Sequence, residues 1–138
     1  MRESLPPPRP SPHPGWRALA FRRAFGRRCP QCGVGRLFRA YAGLAPACSA
    51  CGLRFRREHG AATGSMYVSA AVTEVFAAAV ALGLFLLTDW SVAAGLSVGA
   101  PLVLAFCYAF LPVSIAFWTA VEYAADVGNG EPWAVPRP

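Results

Sequence analysis

The chain has 138 residues, 55% of them hydrophobic and only 14% charged, against about 25% charged in an ordinary soluble domain. So little charge excludes an acidic disordered protein and fits a soluble enzyme poorly, because too few polar side chains remain to cover its surface. The net charge of +6 averages two unlike halves: residues 1–60 carry 12 Arg against Glu3 and Glu58, a net +10, and residues 61–138 carry Arg137 against five carboxylates, a net −4.

Residues 1–15 hold six prolines. They lack the donors and side chains that a core needs, and read as an extended disordered tail. Residues 16–28 (WRALAFRRAFGRR) mix aromatics with Arg. At 100° per residue the arginines scatter around the wheel, so the segment is not a clean amphipathic helix. It reads as a basic-aromatic juxtamembrane stretch suited to anionic headgroups. Arg22-Arg23 is not followed by an apolar run, so no cleavable export signal is expected.

A cysteine module occupies residues 27–58. Cys29-Pro-Gln-Cys32-Gly33 is followed, after fifteen residues, by Cys48-Ser-Ala-Cys51-Gly52. That is the four-cysteine metal spacing. Two cysteines three apart on a tight turn aim both sulfurs at one ion, and two such turns complete a tetrahedron. The glycine after each pair suits a left-handed turn position. Between the pairs lie Leu37, Phe38, Tyr41 and Leu44, and Leu53-Arg54-Phe55-Arg56 alternates like a strand. The expected fold is a small four-cysteine zinc ribbon of short β-strands. About thirty residues bury too little to fold unaided, so one structural Zn2+ per chain is expected through Cys29, Cys32, Cys48 and Cys51. An iron–sulfur cluster uses the same ligand set and stays open, as does thiol redox or metal carriage by the four cysteines. Arg22, Arg23, Arg27, Arg28, Arg54 and Arg56 are candidate lipid or partner contacts. His59 could in principle ligate, but four cysteines already fill a tetrahedron.

Two apolar stretches follow, at 66–87 and 92–121. About 20 residues cross a hydrocarbon core, so an all-α two-helix transmembrane hairpin is expected. Helix two contains Pro101 and Pro112, compatible with a kink, a tilt or a fully spanning part limited to about 101–121. Thr88-Asp89-Trp90-Ser91 is the turn. The arginines before helix one place both termini on the cytoplasmic side of the inner membrane, and residues 122–138 read as a cytoplasmic tail. Glu74 is a candidate intramembrane polar site or partner contact. The alternative is a helix that starts late and leaves Glu74 near the headgroups. Small residues such as Gly95/Gly99 and Ala105/Ala109 permit close helix contact and suggest a homo-oligomer or a protein partner in the membrane.

With Cys29-Pro-Gln-Cys32-Gly33-Val-Gly-Arg-Leu37-Phe38, Cys48-x2-Cys51-Gly52-Leu-x-Phe55, Glu58-x-Gly60, Gly64-Ser-Met-Tyr-Val-Ser69 and Pro112-x-Ser114-x3-Trp118, the chain resembles the bacterial family known as domain of unknown function 983. The resemblance covers about Arg28 to Trp118 and implies a zinc-ribbon-like module plus two transmembrane helices. Some members carry basic residues where this chain has Glu122. The family has no assigned activity, and the proximity of some members' genes to cytochrome-oxidase genes implies a role in respiratory-oxidase assembly.

No Walker loop, nucleophile elbow, HExxH motif or paired catalytic carboxylates occur. The expected function is therefore a non-catalytic accessory, assembly or interaction factor in the bilayer. The alternatives are metal or thiol-redox handling, and membrane-tethered nucleic-acid binding. The last is disfavoured by the absence of base-stacking motifs.

Overall fold

The computed structural model describes residues 13–56 and 61–137. Most of the Pro-rich tail, together with Arg57, Glu58, His59 and Gly60, lies outside them. The order of elements is α1 (Trp16–Phe25), the cysteine module, α2 (Ala61–Leu87) and α3 (Val92–Asn129).

α1 forms where a basic-aromatic stretch was expected, and its packing explains the scattered arginines. Ala20 and Ala24 are fully buried and lie on one stripe, since they are one turn apart. Beside them Trp16 meets Tyr123 edge-on at 6.3 Å, and Phe21 and Phe25 meet Phe117 at 5.8 and 6.5 Å. α1 is thus held by α3. Arg22 is exposed, while Arg23 turns to the cysteine module and donates to the carbonyls of Gln31 and Arg137, 2.9 Å each. The two arginines do not share a face because one is drawn to the module and the other stays at the surface.

α2 and α3 are antiparallel. Phe76 stacks on Phe106 at 4.0 Å, and the Ser69 and Ser114 hydroxyls lie 2.7 Å apart. Both helices are long and apolar enough to span a bilayer. Large apolar side chains near the turn are bare, with Leu87 at 85%, Phe85 at 82% and Val92 at 81% exposure. Water would penalise such a surface and lipid would not. Gly99 is buried against Val80 and Leu84, whereas Ala105 and Ala109 face outward.

α3 runs unbroken through both prolines to Asn129, eight residues past the expected end of the span. Its last turns are not a free tail: Ala116, Ala120 and Tyr123 are buried under α1. Gly130, at φ 72°, stops the helix and returns its N–H to the carbonyls of Asp126 and Val127. The segment after it packs back on the module, where the Val135 N–H donates to the buried Gln31 Oε1 at 3.2 Å. Both ends of the described chain therefore lie on the same side of the hairpin.

The module departs from expectation in one respect. No named strand occurs among the described residues. Three isolated antiparallel bridges stand in their place: Arg28 with Arg36, Phe38 with Leu44, and Ala47 with Arg54. Turns centred on the cysteines consume the chain too quickly for ladders to extend. Leu37, Phe38, Ala45, Leu53 and Phe55 make a small core around Cys29 and Cys48.

Candidate metal centre

Each cysteine pair sits on the same turn. In the first, the Cys29 N–H donates to the Gly35 carbonyl (2.8 Å), and the Cys29 carbonyl accepts from the Gly33 N–H (2.9 Å). In the second, the Cys48 N–H donates to Leu53 (2.8 Å), and the Cys48 carbonyl accepts from Gly52 (3.0 Å). Gly33 and Gly52 adopt φ 71° and 75°, the conformation that disfavours any residue with a Cβ.

The two turns bring all four sulfurs within 4.8 Å of one another. Cys29 to Cys51 and Cys32 to Cys48 are each 3.7 Å apart. A tetrahedron with metal–sulfur bonds of about 2.3 Å has edges of about 3.8 Å, so the set fits a single tetrahedral ion. All four are free thiols. Gly35 is buried against this cluster, and a Cβ there would overlap the Cys48 sulfur. Cys107, in α3, is outside the group.

The thiols are not equivalent. Burial pushes Cys29 far up, against the N–H groups of Cys32 and Gln31 and with the help of the neighbouring Cys51. Burial also raises Cys51. At Cys32 burial acts in the same direction but loses to the N–H groups of Gly35 and Val34 and to the Cys51 and Cys48 thiols, which bring it down to about 6. In the folded geometry Cys32 is thus more acidic than Cys29 and ionises ahead of it as a metal is taken up.

The module is fastened to the membrane helices by a bond whose reason lies in Pro112. Proline has no N–H, so the carbonyl four residues earlier, that of Tyr108, loses its helical donor. The Tyr41 hydroxyl, from the loop between the two cysteine pairs, donates to that carbonyl at 2.8 Å, and the two tyrosine rings stack at 4.6 Å. Tyr41→Phe is expected to destabilise the docked module by about 1 kcal/mol. In a Pro112→Ala background the restored N–H satisfies Tyr108, and the same change should cost close to nothing. Proteolysis of the 39–43 loop in the four proteins of this cycle measures the difference.

The other candidate residues separate. Arg27 and Arg28 join Arg36 and Arg39 around one groove. Arg54 lines a second, larger cleft together with Cys51, Glu122, Glu131 and Trp133. Arg22 and Arg56 are exposed and line neither. Glu74 is exposed on α2, thirteen residues or about 20 Å before its end. α2 starts at Ala61, thirteen residues before Glu74.

Sequence reasoning missed the partnership of two segments it had quoted. Gly64 lies directly under the Trp118 indole, where a Cβ would overlap the ring, and Trp118 Nε1–H donates to Glu122 Oε1 at 2.6 Å. With the Ser69–Ser114 contact, the start of α2 and the Pro112–Trp118 stretch form one helix–helix seam. The glycine-serine spacing of one and the serine-tryptophan spacing of the other were the available signal.

Neither a curated protein nor a solved structure matches the chain. A family model matches residues 38–123, which takes in the second cysteine pair, α2, α3 as far as Tyr123, and the whole seam. The first pair precedes the matched stretch and is joined to it by the geometry of the sulfurs. On that match, which covers well over half of the sequence, the chain belongs to the family described as Protein of unknown function (DUF983).

Proposed function

We propose that this membrane protein is a non-catalytic docking factor whose metal module holds one structural zinc ion and presents a fixed surface to a protein partner. The closed four-thiolate set carries the reading. Four sulfurs fill a tetrahedral ion's coordination, leaving no position for water or substrate, so the ion holds shape and activates nothing. Four thiolates in tetrahedral array suit zinc, which has no redox chemistry of its own. The ties at Tyr41, Arg23 and Gln31 support the same reading, because a surface meant for a partner needs a fixed position. Arginine excess on the module side and a turn carrying only Asp89 favour a cytoplasmic module and cytoplasmic termini in a bacterial inner membrane, where thiols stay reduced. Glu74, exposed on a spanning helix, suits contact with a partner helix, because a lone carboxylate in lipid costs a few kcal/mol. Among clients, the respiratory oxidase implied by the family resemblance is the one to test first.

Full-length protein in mild detergent is expected to carry about one zinc per chain and to keep it through a weak chelator. Crosslinking in native membranes should recover oxidase subunits, and Glu74→Gln should insert normally but recover less of them. A second reading rests on Cys51, half-buried on the wall of the larger cleft. Rapid exchange of the metal, or reversible oxidation of the cysteine pairs in cells, would establish metal or thiol handling in its place.

A further inference from the structure

The structure points to a binding site for the phosphate of an anionic phospholipid in a groove of the cysteine module that opens just after the end of α1. The groove, of about 590 Å³, is lined by Arg27, Arg28, Arg36, Arg39, Phe38 and Tyr41. Three observations favour an anion there. Arg28 and Arg36 are bridge partners, and like charges directly opposite one another repel. None of the four arginines has an ion pair among the described residues. Arg27 is held at φ 59°, and no other non-glycine residue among those described has a positive φ. That conformation carries strain for a residue with a Cβ, and such strain gathers at binding sites.

Depth along α3 selects the source of the anion. With Asp89 and Trp90 at one interface, Tyr108 lies sixteen residues, or about 24 Å, along α3 from Val92. Phe117, which packs on Phe25 next to the groove's upper end, lies at about 38 Å on the same scale. A hydrocarbon core of about 30 Å ends between those levels. The groove, with Tyr41 at its lower end, therefore spans the headgroup layer. Its surroundings are apolar in the way a lipid site needs: Val34 is 68% exposed and Phe25 50%. A soluble phosphate or a nucleic acid would use the arginines but not these side chains. None of the four cysteines lines the groove, and the site rests on the membrane-docked module proposed above.

The test uses the full chain in nanodiscs of equal phosphatidylglycerol and phosphatidylcholine, with retained lipid read by native mass spectrometry. Unmutated protein should keep phosphatidylglycerol selectively. Arg36→Gln/Arg39→Gln should lower that retention by roughly 25-fold, from about a fivefold loss per arginine, and leave phosphatidylcholine unchanged. Arg17→Gln removes a charge away from the groove, since Arg17 adjoins Trp16 at the level of Tyr123, about 13 Å of helix before Gly26 at the groove's edge. That variant should change retention less than about twofold, because the distance exceeds the Debye length. Equal retention of both lipids by the unmutated protein overturns the site, as does an equal loss per charge removed in the two variants. Displacement of the lipid by millimolar inorganic phosphate or by an oligonucleotide overturns it in favour of those ligands. Metal content is measured on every sample, so that loss of the module is told apart from loss of the lipid site.

Discussion

Replacing Cys48 with Ser, or stripping the metal with a strong chelator, is expected to unfold the cysteine module and to leave the helical hairpin standing. The apolar core of the module is small: Leu37, Phe38, Ala45, Leu53 and Phe55 are its buried members beyond the cysteines. A core of that size does not offset the entropy of ordering the chain. A structural metal supplies about 10–16 kcal/mol in comparable modules, so its loss exceeds anything the remaining contacts can make up. Without it, four thiols stay crowded within 4.8 Å, and any second ionisation adds repulsion. The hairpin has its own contacts, Phe76 on Phe106 and Ser69 on Ser114, and does not depend on the ion. The expected result is metal content falling to the background, rapid trypsin cleavage after Arg36 and Arg39, and helical circular dichroism largely preserved. Cys107→Ser, outside the cluster, should change none of these. A Cys48→Ser protein that kept its metal and its protease resistance would show that the module folds on its apolar core.

Gly64→Val is expected to open the seam between α2 and α3 at the module end. A Cβ at Gly64 overlaps three atoms of the Trp118 ring. The indole cannot swing aside freely, because its Nε1–H is bonded to Glu122. One of the helices must shift, and overpacking of this kind costs about 1–3 kcal/mol. The shift also strains the Ser69–Ser114 contact one turn further along. Trp118→Ala alone leaves a cavity and is destabilising as well. In the Trp118→Ala background, however, Gly64→Val should cost little, because the atoms it would meet are gone. A double-mutant cycle on unfolding in mixed micelles should therefore return a large coupling energy, with the double variant more stable than the sum of the singles. Additive effects would mean that the two residues do not touch.

The seam shows how far a one-dimensional reading goes. Gly64, Ser69, Ser114 and Trp118 were all conspicuous in the sequence, in two separate stretches. That they meet pairwise depends on the register of an antiparallel hairpin, which the turn at Thr88–Ser91 sets only to within a residue or two. In the sequence, Pro101 and Pro112 leave open a kink, a tilt or a shorter spanning part. The consequence of Pro112 is instead a carbonyl without a donor at Tyr108, and the donor comes from Tyr41, 67 residues earlier. α1 was overlooked because its arginines break the helical pattern. The pattern breaks because Arg23 is turned to the carbonyls of Gln31 and Arg137 while Arg22 is exposed.

What the sequence determined by itself is whatever local chemistry dictates. Four cysteines in two C-x2-C-G turns can do little else in so small a module than converge. Two apolar runs joined by the short Thr88–Ser91 turn are each long enough to span a bilayer, and the arginine asymmetry gives an expectation of their orientation. The tertiary structure alone decided where the module sits, which arginines share a groove, and how the end of α3 becomes part of the cysteine module's support. Those outcomes depend on contacts between residues far apart in the chain. Such contacts leave no periodic trace, because each is selected by the shape and unmet hydrogen bonds of a partner that the folded protein brings near.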